Sequence, residues 1–348
     1  MLRAKAIDTT EAMPTQAELT DTGDDVAMTE PTLHTPFDLI ALGEPLIEFN
    51  QRNPARPEFT RGFGGDTSNA AIAAARLGAR VAYVSQVGDD AFGRDLLALW
   101  RTENVATDGV RVLAGADTGL YFVSHGPAGH EFSYRRAGSA AARMTPADLP
   151  LALLAHTRWL HVSGISLAIS GSACDAALAA IHHARAAGAR ISFDLNYRAR
   201  LWPPARALAL ARQVLADCDL FLPGVEEMHT LTGLTDTDAI IDWAHAQGAR
   251  AVALKLGPAG CRISDGVQRS SVPGHPVTAV DATGAGDCFA GACLSQLARG
   301  KSLADAARLA NVAAALSTQA FGAVNPLPGQ ADLAAAAGVI INGSKEQS

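Results

Sequence analysis

Residues 281–291 read Asp-Ala-Thr-Gly-Ala-Gly-Asp-Cys-Phe-Ala-Gly, and an apolar stretch continues from Cys288 to Leu297. Two carboxylates, Asp281 and Asp287, flank the segment Thr283, Gly284, Ala285 and Gly286. A helix starting in this turn points its free N–H groups and the positive end of its dipole at one spot, which attracts an anion such as a phosphoryl group. Gly284 and Gly286 put no Cβ in the way of close approach. Asp287, in the first helical turn, is placed to take a proton from an attacking hydroxyl. An anion cradle beside a general base is the arrangement phosphoryl transfer needs. The plainer reading of Gly-Ala-Gly alone is a tight strand-to-helix turn with a first-turn charge. A second glycine pair, Gly64-Gly65-Asp66-Thr67-Ser68-Asn69, precedes an apolar helical stretch and offers the same exposed backbone donors, although Asp66 or Thr67 would also serve as a simple helix cap.

Such turns must be carried by a scaffold, and the rest of the chain supplies one. Three times a helix-ending glycine is followed by a short apolar run: Gly78 before 81–84, Gly188 before 191–193 and Gly248 before 251–254. Further apolar strands are expected at 39–42, 159–162 and 220–222. Helices are expected at 67–77, 91–103, 172–187, 205–216, 236–247, 285–299 and 303–320. Strands alternating with helices imply an α/β fold with a mostly parallel central sheet covered on both faces, and its ligands bind beyond the carboxyl ends of the strands. Residues 45–62 and 111–135 break this rhythm with polar–apolar alternation. They are expected to form a small antiparallel sheet, a lid that excludes water from the site. The same strands are expected to join copies of the chain into a homo-oligomer.

The chain has 348 residues, 48% hydrophobic and 18% charged, with a net charge of −7. An acidic chain is a poor partner for nucleic acid, and no apolar run reaches the roughly 18 residues of a membrane span. Five cysteines without metal spacing read as reduced thiols of a cytoplasmic protein. Residues 1–36 carry seven acidic and two basic residues without apolar periodicity, so disorder is expected there, and a loose tail is expected over 341–348, leaving one domain over 37–340. No P-loop, dinucleotide fingerprint, His-Glu-x-x-His or Gly-x-Ser-x-Gly is present. Gly300-Lys301-Ser302 only mimics a P-loop ending.

The full run 281–291 resembles the signature of the ribokinase-like (PfkB) sugar kinases. Gly64–Asn69 and Val87-Gly88-Asp89-Asp90-Ala91-Phe92-Gly93 resemble the N-terminal signature of that family, in which the glycine pair and the Asn lie by the sugar. The resemblance spans 38–330 and implies a three-layer α/β fold with a small β-sheet lid. Gly43-Glu44-Pro45-Leu46, Tyr134–Ala140, His161–Ile165 and Phe193–Arg198 with Leu201-Trp202 narrow it, being similar to 2-dehydro-3-deoxygluconate (KDG) kinases. That resemblance implies a substrate site of Gly64, Gly65, Asn69, Tyr121, Tyr134, Arg136, Asn196 and Arg198. The sugar acid carries a carboxylate, which Arg136 and Arg198 would converge on with planar, bidentate contacts. Some relatives have a second aromatic residue where Arg135 stands.

On the nucleotide side, Pro223-Gly224-Val225-Glu226-Glu227 resembles the family's Asn-x-x-Glu segment, with Gly224 where many relatives have Asn. The resemblance implies that Glu227 organises Mg²⁺ through water, that Lys255, Gly257, Gly260 and Thr283 line the nucleotide with Gly284 and Gly286, and that Asn311 lies near the adenine. Asp281 would position the turn and, through it, a monovalent cation as in some relatives. The implied activity is transfer of the γ-phosphoryl group of Mg-ATP to the 6-hydroxyl of KDG, with Asp287 as base and the N–H groups of Gly284, Ala285 and Gly286 meeting the charge. Fructokinase and 5-dehydro-2-deoxygluconokinase are the near alternatives. A sugar-acid sensor without catalysis is the further one.

Overall fold

The computed structural model describes residues 36–51, 55–126 and 129–343; the acidic stretch 1–35 and the last five residues lie outside these. The strands are β1 (Leu39–Leu42), β2 (Leu46–Asn50), β3 (Thr60–Gly64), β4 (Val81–Gly88), β5 (Val105–Leu113), β6 (Leu120–Gly126), β7 (Gly129–Arg135), β8 (Trp159–Ser163), β9 (Arg190–Asp194), β10 (Leu220–Phe221), β11 (Ala251–Lys255), β12 (Gly260–Ser264) and β13 (Arg269–Pro273). The helices are α1 (Asp66–Arg76), α2 (Ala91–Thr102), the short α3 (Leu151–Leu154) and α4 (Gly164–Ala168), α5 (Gly171–Ala186), α6 (Pro204–Leu215), α7 (Val225–Thr232), α8 (Thr237–Ala246), α9 (Ala285–Ala298), α10 (Leu303–Ser317) and α11 (Gln330–Gly343).

The large sheet runs β13-β12-β11-β10-β9-β8-β1-β4-β5, parallel except for the antiparallel edge of β11, β12 and β13. Its strands read as near-continuous apolar runs because both faces are covered. On β1, Leu39 and Ala41 enter the core under α1, α9 and α10, while Ile40 and Leu42 enter the opposite core under α5, α6 and α8. The period-two alternation of a strand therefore builds a three-layer α/β fold from one run of hydrophobic residues.

The second sheet, β3-β2-β6-β7, is the expected lid, with two differences. Its central pair β2 and β6 is parallel, the outer pairs being antiparallel. Residues 111–113 end β5 in the large sheet and do not join the lid. The lid is lined by Leu46, Tyr121 and Val123, against which Phe132 and Tyr134 pack. Two other expectations are corrected. The helix expected over 303–320 stops at Ser317, where Thr318 caps it, and residues 341–343 continue α11 instead of opening a loose tail. No helix among the described residues is long and apolar enough to cross a membrane.

Close contact between α1 and α9 decides where the chemistry sits. A Cβ on Gly291 would lie 2.1 Å from the Ala70 carbonyl oxygen, so only glycine lets the two helices approach this closely. Their N-termini then open toward the same space beyond the carboxyl ends of β1, β8, β9 and β11. The start of α1 is anchored from beneath: Thr67 Oγ1 lies 3.0 Å from the Tyr83 hydroxyl, and Trp100 Nε1 donates to Ser68 Oγ (2.9 Å).

Candidate active site

Gly284 adopts φ +78 as the residue preceding α9, the left-handed conformation that glycine enters without strain. Asp281 fixes this turn from behind. Its Oδ1 accepts the Thr283 N–H (2.9 Å) and hydroxyl (2.7 Å), and its Oδ2 accepts the Gly322 N–H (3.0 Å). Among the described residues the N–H groups of Gly284 and Gly286 have no acceptor, so these are the donors the turn offers an anion. Ala285 departs from expectation here, because its N–H donates to the Ala282 carbonyl (3.2 Å).

Asp287 projects from the first turn of α9 into a frame of amides. Asn69 Nδ2 donates to its Oδ2 (2.8 Å) and Asn196 Nδ2 to its Oδ1 (3.4 Å). The same Asn196 nitrogen also donates to Asp66 Oδ2 (3.2 Å). Burial, with the charge of Asp66 adding to it, pushes the Asp287 carboxyl up to about 8, close to neutral pH. A carboxylate lifted into this range takes up a proton more readily than an ordinary aspartate.

Asn196 holds φ +36, unusual for a residue with a side chain. Carboxylates from two elements hold it there. Asp194 Oδ1 accepts the Asn196 N–H (3.1 Å), and Glu227 Oε1 accepts the Tyr197 N–H (3.1 Å). Glu227 Oε2 reaches back to the Gly224 N–H (2.8 Å) and so caps α7. Burial raises the Glu227 carboxyl, with Lys255 opposing the rise.

Lys255, the last residue of β11, ties this turn to the anion cradle. Its Nζ donates to Asp194 Oδ2 (2.6 Å), and a Cβ on Gly286 would lie 3.5 Å from the same nitrogen. Burial alone would lower the Lys255 ammonium, yet Asp194 and Glu227 outweigh it and raise it, so the group is a cation at working pH. A fixed positive charge therefore stands beside the turn that offers backbone donors to an anion.

The lid contributes Tyr121, Tyr134 and Arg136. The Tyr121 ring stacks on Tyr134 at 5.7 Å, closes over Gly64 at the end of β3, and gives its hydroxyl to Glu48 Oε2 (2.5 Å). The Arg136 guanidinium lies over the Tyr134 ring at 5.4 Å and pairs with Glu44, whose Oε1 takes the Ser139 hydroxyl (2.9 Å). Burial pushes the Glu44 carboxyl up, with Arg136 working against it. Arg136 Nε makes no hydrogen bond although the side chain is only 10% exposed. Arg198 stands apart from this group. It is half-exposed, 3.8 Å from Glu227, and donates to the Tyr197 carbonyl (3.1 Å). The expected convergence of the two arginines is thus replaced by two separate pairs.

Asn69, Asn196 and Asp287 form one hydrogen-bonded group beside Gly65, whose φ of +107 leads into α1. Glu227 and Gly286 both lie beside Lys255. Gly257 opens the turn between β11 and β12, and Gly260 closes it by accepting the Leu256 N–H (2.8 Å). Asn311 spends its amide N–H groups on the carbonyls of Val272 (3.1 Å) and Pro273 (3.0 Å), holding the edge strand β13. Asp66, Asp194, Glu44 and Glu48 were not foreseen as site residues. Their signal lay in position, since each falls in or beside a segment already marked, but a lone carboxylate reads equally well as a helix or turn charge. No cluster of three or more His, Cys, Asp or Glu side chains among the described residues is suited to hold a metal ion.

Comparison with known proteins agrees with this geometry. Residues 34–330 match the pfkB family carbohydrate kinase model. Among curated relatives, Fructokinase-2 of Solanum habrochaites is 35% identical over 308 residues, covering 83% of this chain and 93% of the relative. The 2-dehydro-3-deoxygluconokinase of Bacillus subtilis (strain 168) is 36% identical over 282 residues, covering 79% and 86%. The crystal structure of a fructokinase with bound ATP from Xylella fastidiosa matches with a TM-score of 0.80 at 26% identity, covering 87% of this chain and 99% of that one. The chain belongs to the PfkB family of carbohydrate kinases and is a sugar kinase, a phosphotransferase on the ribokinase-like fold.

Proposed function

We propose that the chain transfers the γ-phosphoryl group of ATP to the 6-hydroxyl of 2-dehydro-3-deoxy-D-gluconate. The observation that carries the choice of an acid is Arg136. A guanidinium this enclosed with an unpartnered Nε–H is a donor that a substrate carboxylate would satisfy. In this reading Asp287 takes the hydroxyl proton, the hydroxyl oxygen forms the new bond to phosphorus, and the phosphorus–oxygen bond to ADP breaks. The N–H groups of Gly284 and Gly286 and the Lys255 ammonium meet the charge on the transferring group. Asn69 and Asn196 hold the Asp287 carboxylate in place. Mg²⁺ bound with ATP would supply charge neutralisation at the phosphate oxygens, and Glu227, whose two oxygens already accept the Tyr197 and Gly224 N–H groups, would meet it only through water. The lid residues Tyr121 and Tyr134 cover the acceptor.

A neutral ketohexose is the second reading, favoured by Glu44. That buried carboxylate already balances the Arg136 charge, and fructokinases match this chain as well as KDG kinases do. A coupled ADP-release assay with Mg-ATP and KDG, fructose, ribose or 5-dehydro-2-deoxygluconate at equal concentration separates them. Strong preference for KDG is expected, and preference for fructose would overturn the acid. Arg198→Ala is the cleaner arginine variant, because Arg136→Ala would leave Glu44 buried and unpaired. Arg198 stands by Glu227 and apart from Arg136, so the variant tests whether it turns to the acid on binding: a loss of about tenfold in kcat/KM for KDG is expected, as for a charged hydrogen bond, with fructose nearly unaffected. Equal loss on both sugars would remove Arg198 from acid recognition.

A further inference from the structure

Asp66 is a charged group in this site to which the proposed chemistry gives no task. It lies in the first turn of α1, where an acidic residue favours the helix dipole, and the Thr67 N–H, the Ser163 hydroxyl, Asp194 and Arg136 face its carboxylate. It is buried, and its Oδ1 has no hydrogen-bond partner. Its Oδ2 shares the Asn196 Nδ2 with Asp287 Oδ1. Two carboxylates that touch the same amide in an enclosed site do not ionise independently, because the second charge forms against the first.

We propose that Asp66 is a positioning residue that acts on the reaction through Asp287: joined to it by the Asn196 amide, its negative charge makes Asp287 a stronger base for the acceptor hydroxyl. The inference rests on the reading of Asp287 as that base. The other groups facing Asp287 are Asn69 from α1, Asp194 from β9, Lys255 from β11, Tyr121 from the lid and the adjoining Cys288. Lys255 opposes the effect of Asp66, while Asp194 adds to it at lower weight. Asp66 is the carboxylate that shares the bridging amide. Burial raises the Asp66 carboxyl as well, which fits a pair that contends for one proton.

The direction of each variant follows from charge. Asp66→Asn removes the like charge, so Asp287 releases its proton at lower pH. Asn196→Gly deletes the amide that stabilises both anions, at a backbone φ glycine accepts, so Asp287 holds its proton to higher pH. The test is the pH profile of kcat/KM in Mg-ATP for the sugar that the panel above identifies. The acid-side inflection is expected to fall by about one to two units in Asp66→Asn and to rise in Asn196→Gly. An unmoved inflection in a folded Asp66→Asn protein, or a change confined to KM, overturns the proposal. A ¹³C NMR titration of the ligand-free parent gives a readout independent of turnover and of whether any variant folds. Asp66 and Asp287 are expected to titrate in two shared steps, and two unrelated single-step curves would overturn the coupling. Asp287→Asn keeps the two ideas apart: if it retains near-normal turnover the base reading fails, whatever Asp66 does.

Discussion

Asp287→Asn is expected to bind ATP and sugar nearly normally and to lose about two to four orders of magnitude in kcat, the range a positioned general base supplies. The substitution keeps the volume and leaves the Gly284 and Gly286 donors in place, so KM should hardly move. A second, pH-dependent effect accompanies the loss. The folded protein raises the Asp287 carboxyl from near 3.8 to about 8, so it binds this proton more tightly than the unfolded chain does. As pH rises through that window the unfolded chain ionises first and gains, and the folded protein is destabilised progressively. Asn has no such proton. The variant loses one acceptor facing the amides of Asn69 and Asn196, a cost that does not vary with pH. Its Tm relative to the parent should therefore climb from pH 5 to pH 8. Steady-state kinetics and thermal melts at those two pH values check both halves. Near-normal kcat would remove Asp287 from the chemistry, and a flat Tm difference would show that the carboxyl is not held protonated.

The sequence made the turn before α9 legible because backbone geometry and composition agree there: glycine at the left-handed position, a carboxylate one turn on, and an apolar helix behind. The order of strands and helices was legible for a similar reason, each glycine stop being followed by a run apolar enough for two-faced burial. What surrounds Asp287 was not legible as a set. Asn69 lies 218 positions away along the chain, and Gly291, which brings α1 and α9 together, looks like any helical glycine until its contact with Ala70 is seen. The β12–β13 edge was missed although its signal is present. Asp265-Gly266 follows the alternating Cys261-Arg262-Ile263-Ser264, and Asp265 Oδ1 takes the N–H groups of Val267 and Gln268. The arginines mark the other limit. Residue type showed that each could hold a carboxylate, but only the fold shows that Glu44 and Glu227 are already there.

Lys255→Met is the other substitution expected to have a large effect, and it should damage the protein in two separable ways. The ammonium is mostly enclosed and bonded to Asp194, with Glu227 and Asp287 near enough to raise it. Methionine replaces the stem but leaves buried carboxylates without their counter-charge, a loss of about 3–5 kcal/mol for a broken buried pair. Asp194→Asn removes part of that excess charge, so the double variant Asp194→Asn/Lys255→Met should recover much of the stability. It should not recover the rate. If Lys255 meets the transferring phosphoryl group, no carboxamide can replace its charge, and kcat in the double variant should stay about 10²–10³-fold below the parent, the cost of removing one donor from such a centre. Denaturant unfolding and kcat measured on parent, both single variants and the double variant complete the cycle. Recovery of stability and rate together would make Lys255 a structural counter-ion for the Asp194 turn. Recovery of stability alone, with Asp194→Asn by itself keeping its rate although Asp194 also accepts the Asn196 N–H, would assign the Lys255 charge to the reaction.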